Sequence, residues 1–199
     1  MQDERLLLAQ IATGDEEALR QLYLAYRPRL RRYLWHQLAG DNASVEDALQ
    51  EVFLAVWRTA GGYRGEARVS TWLYQITRYV ALGVRRRQAR QPDALPLDLD
   101  EDNDRFPYGP HDAQDWSAAN NSCERRALDR VALRDALARL SPRHREALML
   151  VFQHGFSPQE VAQILDVPAG TVKSRISYAR KALMRALDLT LTEEARHDA

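Results

Sequence analysis

The chain has 199 residues, of which 45% are hydrophobic and 28% are charged, enough for one large domain or two small ones with hydrophobic cores. Its 28 basic and 28 acidic residues balance over the whole chain, but residues 1–90 carry 14 basic and 10 acidic side chains, residues 91–124 carry 1 and 9, and residues 125–199 carry 13 and 9. The two end blocks are therefore basic enough to face phosphate, although the neutral total would argue against a nucleic-acid binder.

Motifs of enzymes and metal sites are missing from the sequence. The five histidines show no metal-ligand spacing, and we find no Gly-rich phosphate loop, paired carboxylates or nucleophile arrangement. We expect no catalytic residue, no metal and no cofactor. The single Cys123 excludes a disulfide framework within the chain, and neither a signal peptide nor a bilayer-spanning apolar run is present, so we expect a cytoplasmic protein without membrane insertion.

The first block reads as consecutive helices. Acidic residues at 15–17 indicate a helix start, and an apolar stripe continues toward Pro28, which predicts a new helix start or a kink. Ser44, with Asp47 three residues later, predicts the cap of the next helix, from about Val45 to Thr59.

The helix predicted from about Val45 to Thr59 has an unusual polar edge beside its apolar stripe. Acidic and amide side chains next to aromatic ones suit docking against another protein better than a fully solvated surface. Phe53 and Trp57 could equally be core residues. The candidate docking residues are Asp47, Gln50, Glu51, Phe53 and Trp57.

A loop and a further helix follow. Three glycines within residues 61–65 predict a flexible loop, and a helix is predicted from Ser70 or Thr71 to about Arg87. Unstacked single-stranded bases require aromatic faces to stack on, amides to read base edges and arginines to meet phosphates. Trp72 could instead belong to the core. The candidate residues for such bases are Tyr63, Arg64, Trp72, Gln75, Arg78 and Tyr79.

The segment from residue 91 to about 122 has five prolines or glycines and eight acids against one arginine. Such a composition cannot bury a core and predicts an extended or disordered linker. About thirty extended residues reach on the order of 100 Å, so two domains could engage separate sites.

Residues 156–181 predict two short helices joined by a tight turn. Ser157-Pro158-Gln159-Glu160 is a helix start signal, residues 166–170 break that helix, and a second opens near Thr171. Between Thr171 and Arg185 there are five basic residues and no acid. A helix-turn-helix aimed at DNA and a solvated amphipathic hairpin both fit this pattern. The candidate DNA-facing residues are Lys173, Ser174, Arg175, Ser177, Tyr178 and Lys181.

Three segments resemble the extracytoplasmic-function (ECF) sigma factors of bacterial RNA polymerase. Residues 157–175 resemble region 4, residues 46–53 resemble region 2.2, and residues 63–66 with 71–76 resemble regions 2.3 and 2.4. The resemblance implies an all-α fold with a region 2 bundle at residues 1–90, an acidic flexible linker at 91–124, a region 4 helix-turn-helix at 125–190 and a tail at 191–199. Tyr79, Gly83 and Tyr178 depart from the residues common in the family.

The resemblance also implies a function and partners. Region 2.2 would grip the clamp coiled coil of core RNA polymerase, regions 2.3 and 2.4 would melt and hold the promoter −10 element, and region 4 would recognise the −35 element. Core polymerase, promoter DNA and an anti-sigma factor are the implied partners. A stand-alone helix-turn-helix regulator is the main alternative, but it would not need the docking helix or the loop block. An enzyme with a regulatory C-terminal domain is a second alternative.

Overall fold

The computed structural model describes residues 3–90 and 136–197, with side chains in the second range as far as Arg185. The contacts divide the chain into two compact units, of which the first includes Gln159–Val167 beside the N-terminal helices. All regular structure in the described residues is helical, which confirms the all-α prediction. The predicted linker, 91–124, lies outside these residues, and the predicted domain boundaries stay predictions.

The N-terminal helices are connected by short turns. The loop after α3 opens with a 3₁₀ turn, Ala60–Gly62. The bounds are α1 Glu4–Ala12, α2 Glu16–Gln37, α3 Asn42–Thr59 and α4 Val69–Ala89.

Helix α2 runs through Pro28, which rules out the new helix start predicted there but leaves the alternative of a kink. The predicted cap of α3 is wrong. The cap of α3 is Asp41 rather than Ser44, because the Asp41 carboxylate accepts hydrogen bonds from the backbone N–H groups of Ala43 (3.2 Å) and Ser44 (3.3 Å). Hydrogen bonds from Ser44 and Ala43 lower the pKa of Asp41, which favours the charged cap.

The first core forms where α3 packs against both α2 and α4. Tyr33 of α2 and Tyr74 of α4 are buried and meet edge to face at 5.4 Å between ring centroids. Helix α1 is tied to α2 by the Tyr26 hydroxyl, which donates to Glu4 Oε1 at 2.7 Å. These contacts leave the opposite faces of α3 and α4 available at the surface.

In the C-terminal part of the chain, two short helices precede a long one. The last helix continues past residue 190, where the domain was predicted to end. The bounds are α5 Pro142–Phe152, α6 Pro158–Leu165 and α7 Ala169–His197.

Arg145 fastens α5 to the turn that precedes it. Its guanidinium donates hydrogen bonds of 2.8 Å to the carbonyl oxygens of Leu137, Ala138 and Leu140. Leu140 then packs with Leu148 of α5 and Ala179 of α7 in a small buried cluster. The Arg145 guanidinium thus satisfies three carbonyl groups of that turn and holds Leu140 in position for its contacts with Leu148 and Ala179.

We expect Arg145→Ala to lower the free energy of unfolding by about 1.5–3 kcal/mol, the usual contribution of hydrogen bonds to a charged group. Arg145→Lys should recover only part of this, because an ammonium group cannot reach three carbonyls with a planar fork. Urea denaturation followed by circular dichroism measures the change. The control is Arg143→Ala, whose exposed side chain lies two residues away; equal effects of both alanine variants would contradict this role.

Candidate protein and nucleic-acid interfaces

The outer face of α3 is acidic with an apolar centre. Asp47, Gln50 and Glu51 are exposed, and Leu54, which lies one turn further on, is 54% exposed. Glu51 also accepts a hydrogen bond from Arg87 of α4 at 2.8 Å. Sequence reasoning had not placed Leu54 among the docking candidates, although its spacing from Asp47 and Gln50 puts it on the same helix face.

Phe53 belongs to the core, which is the alternative that the sequence left open, rather than to the docking surface. Its side chain is only 6% exposed and meets the Tyr23 ring edge to face, with 4.9 Å between centroids. The buried stripe of α3 includes both Leu49 and Phe53, one turn apart. Trp57 is half-buried and keeps part of its ring at the surface.

A recess opens between α3 and α4 beside the acidic face. It has a volume of about 450 Å³ and includes three carboxylates, those of Asp41, Asp47 and Glu51, among its lining residues. Gln88 donates to Ser44 Oγ at 3.0 Å in the same recess. At Glu46, the residue before Asp47, hydrogen bonding to Arg31 lowers the pKa. Arg87 also lines the recess and pairs with Glu51, so three acids against one base leave a net negative charge that suits a basic side chain from a partner.

In the loop between α3 and α4, two aromatic rings lie close together and one glycine has a positive φ. The Tyr63 hydroxyl donates to the carbonyl oxygen of Ala67, and the Tyr63 ring lies 5.4 Å from the Trp72 ring. Gly65 adopts a φ of +75°, which a residue with a side chain rarely accepts. The loop is therefore closed on itself and set against the start of α4.

Trp72, Gln75 and Tyr79 share the outer face of α4, at spacings of three and four residues. Tyr79 is 78% exposed, whereas Trp72 and Gln75 are half-buried. Arg78 beside them is half-buried, and Arg64 in the loop is exposed. The predicted aromatic, amide and basic groups thus come together on one surface, and Trp72 also supports the loop.

The turn between α6 and α7 is built without glycine. Asp166 takes a φ of +53°, the N–H of Val167 donates to Ala162 O at 3.1 Å, and the N–H of Asp166 donates to Gln163 O at 3.3 Å. This is the Schellman arrangement that closes a helix end. Helix α7 then begins at Ala169, so Gly170 lies inside it and the predicted break is shorter, ending at Pro168.

The first turns of α7 present polar and basic side chains. Val172 and Ala179 are buried on the opposite side. Ser174 Oγ donates back to Thr171 O at 2.9 Å. Arg175 is half-buried. The exposed members of the predicted set are Lys173, Ser174, Ser177, Tyr178 and Lys181.

Tyr178 has a neighbour that sequence reasoning missed. Its ring stacks on His144 of α5 with 4.4 Å between centroids and 25° between planes. Ser141 Oγ lies 2.6 Å from His144 Nδ1. No sequence signal links residues 34 positions apart, so this group is known only from the fold.

In residues 3–90 and 136–185, no group of three or more His, Cys, Asp or Glu side chains is placed to hold a metal ion. None of the described helices is long and apolar enough to cross a membrane.

Two family models match the chain, Sigma-70 region 2 over residues 22–91 and Sigma-70, region 4 over residues 130–183. The ECF RNA polymerase sigma factor SigM of Mycobacterium tuberculosis is 35% identical over 93% of this chain and 84% of its own length. The ECF RNA polymerase sigma-E factor of Escherichia coli is 29% identical over 90% of this chain and 92% of its own.

A solved structure, the sigma factor RpoE in complex with the anti-sigma factor NepR from Bartonella quintana, matches with 26% identity and a TM-score of 0.60, over 85% of this chain and 96% of that one. These findings confirm the resemblance found in the sequence and make the alternative of a stand-alone regulator the weaker one. The chain belongs to the ECF RNA polymerase sigma factors, which bind core polymerase and direct transcription initiation at particular promoters.

Proposed function

We propose that this sigma factor works through three separate surfaces. The acidic face of α3 docks on core polymerase, the loop at 63–67 with the outer face of α4 holds the opened −10 element, and the exposed start of α7 reads the −35 element. The observation that carries the proposal is that the members of each predicted set, apart from Phe53, are exposed or half-buried, the first set on α3, the second on the 63–67 loop and α4, and the third on α7.

In vitro transcription tests the function directly. Core RNA polymerase is combined with the full chain on a library of genomic promoters, and transcripts are counted by sequencing. Initiation at a restricted set of promoters that requires the chain is expected. A stand-alone regulator would bind DNA without core enzyme and would not convert the core enzyme into a promoter-specific one.

The docking assignment follows from charge and shape together. Three carboxylates line the recess beside α3, and Leu54 gives the same helix face an exposed apolar group. Interfaces of this kind gain affinity from an apolar contact at the centre and orientation from charges around it. A basic segment of the polymerase clamp has the complementary chemistry.

We expect the double charge reversal Asp47→Lys with Glu51→Lys to weaken assembly with core enzyme by about tenfold or more, since like charges would then face each other. Leu54→Ala should also weaken assembly and should leave the free energy of unfolding within about 0.5 kcal/mol. Co-purification and fluorescence titration with core enzyme measure both effects.

Two controls separate docking from folding. Phe53→Ala should destabilise the domain by about 3–5 kcal/mol, because it empties a core position. Glu16→Lys changes an exposed acid on α2 and should leave assembly intact. Normal assembly of the Asp47 and Glu51 double variant would overturn the docking assignment.

The proposed −10 surface combines a closed loop with partly exposed rings. The Tyr63 ring is held by Trp72 and by its bond to Ala67, so the loop meets a displaced base without first being ordered. Gln75 and Tyr79 follow on the same side of α4 and offer an amide and a second ring. Such groups gain contacts only when bases leave the duplex.

Loss of one stacking contact, worth about 1–3 kcal/mol, should reduce open-complex occupancy roughly 5–150-fold. We therefore expect Tyr63→Ala to suppress permanganate reactivity of −10 thymines and to leave the upstream footprint intact. Gln75→Ala removes an amide contact to an unstacked base and should change both readouts in the same direction. Tyr63→Phe keeps the ring and removes only the bond to Ala67, so its defect should be smaller. A pre-melted template should restore transcription in part; normal opening of duplex promoters by both alanine variants would make this surface purely structural.

The proposed −35 surface is the exposed start of α7. Lys173 and Ser174 lie in its first two turns and are placed to meet base edges, whereas Lys181 lies two turns later and meets phosphate. The five cations between Thr171 and Arg185, with no acid among them, make the helix attractive to any duplex.

In the library assay, Lys173→Ala or Ser174→Ala should alter which promoters are used. Lys181→Ala should weaken all promoters alike and lower the slope of log affinity against log salt by about 1. A uniform loss across promoters for all three variants would remove base reading from α7.

Regulation and location are proposed from the relatives. A similar sigma factor was solved in complex with an anti-sigma factor, and we infer that this chain is held by such a partner in the cytoplasm, where core polymerase is found. The chain itself supplies contacts rather than a reaction, since bond formation belongs to the polymerase.

A further inference from the structure

His144 and Tyr178 form a stacked pair at the surface of the C-terminal helices. Helix α5 contributes the histidine and α7 the tyrosine, with 4.4 Å between their ring centroids. Tyr178 remains 58% exposed although one of its ring faces is covered. It occurs one turn after Ser174 and three residues before Lys181, among the exposed residues proposed to meet the −35 element.

The Nδ1 atom of His144 contacts the side chain of Ser141. The distance of 2.6 Å between Ser141 Oγ and His144 Nδ1 is that of a hydrogen bond, which fixes the rotation of the imidazole ring. The buried face of α5 consists of Ala147, Leu148 and Leu150, whereas His144 is half-buried. The stack is therefore a feature of the surface rather than a part of the core.

We propose that His144 is a positioning residue for promoter recognition: it holds the Tyr178 ring in the conformation in which that ring meets the −35 duplex. This inference rests on the proposed role of α7. A tyrosine on an exposed helix face otherwise samples several rotamers and loses that freedom on binding. Stacking on a fixed imidazole restricts the tyrosine ring before DNA binds, so less conformational entropy is lost on binding.

The chemistry of a fixed phenol suits base discrimination. Its hydroxyl both donates and accepts hydrogen bonds, and its ring edge can contact the methyl group of thymine in the major groove. An ordered ring meets one base position, whereas a mobile ring contacts several weakly. His144 would thus affect which base is preferred at the position that Tyr178 meets, without touching DNA itself.

The test uses holoenzyme assembled from the full chain and core polymerase. The template is a promoter library in which the −35 positions are randomised, and transcripts are sequenced to obtain base preferences. Tyr178→Ala identifies the position that the tyrosine reads. His144→Ala should reduce the preference at that same position about two- to tenfold, the range expected when one side chain loses its order.

Three further variants make the result specific. His144→Phe keeps a flat ring for stacking and should restore most of the preference. Ser141→Ala removes the bond to Nδ1 and should cause a smaller loss at the same position. His154→Ala, the same substitution in the turn after α5, should behave as wild type. The double variant His144→Ala with Tyr178→Ala should lose no more preference than Tyr178→Ala alone.

The opposite outcomes overturn the inference. If His144→Ala lowers transcription from all promoters equally and keeps the wild-type base preferences, the stack is structural only. If His144→Ala is shown by circular dichroism to be unfolded, Ser141→Ala decides, and unchanged preferences in that variant overturn the proposal. A wild-type holoenzyme without any promoter selection would contradict the proposed function and the inference with it.

Discussion

Helix α3 packs against α2 on one side and α4 on the other, and the first core depends on the stripe that it buries. Six side chains of this helix are buried, from Val45 to Phe53 and Val56, and removal of such a set from water contributes on the order of 10 kcal/mol. The stripe fixes the rotation of α3 about its axis. That rotation determines which side chains face solvent. Because Phe53 points into the core, Leu54, the next residue, is exposed.

In the C-terminal helices, two adjacent side chains of α5 have different tasks. Arg145 turns back to the carbonyls of the preceding turn, while His144, about 100° around the helix, supports Tyr178 of α7. Among the described residues, Leu140, Leu148 and Ala179 form a buried cluster beside α5. The hydrogen bonds of Arg145 thus help to hold the same helix that presents His144 at the surface.

Periodicity in the sequence was enough to predict α2, α3, α4, α6 and the start of α7, because each has an apolar stripe at helical spacing. Periodicity was not sufficient where two nearby residues suit the same role, or where a residue lies at the edge of a stripe. Asp41 and Ser44 are both good caps, and only packing selects the first. Phe53 lies at the edge of its stripe, where one helix position separates core from surface. Composition predicted a loop at 61–67, but it could not predict the bond from Tyr63 to Ala67 or the contact of the Tyr63 ring with Trp72, since no local pattern shows either.

The two proposed DNA surfaces differ in the kind of interaction that they offer, and this difference matches their tasks. The start of α7 combines dense positive charge with short polar side chains, so its attraction to a duplex is long in range and sensitive to salt. Discrimination there must come from the few groups with fixed positions, of which the stacked Tyr178 is the largest. The outer face of α4 offers rings and an amide instead, and these gain little from an intact duplex. Charge can therefore bring the DNA to the protein at any sequence, whereas the ordered rings of Tyr178, Tyr63 and Trp72 can favour one sequence and one strand state.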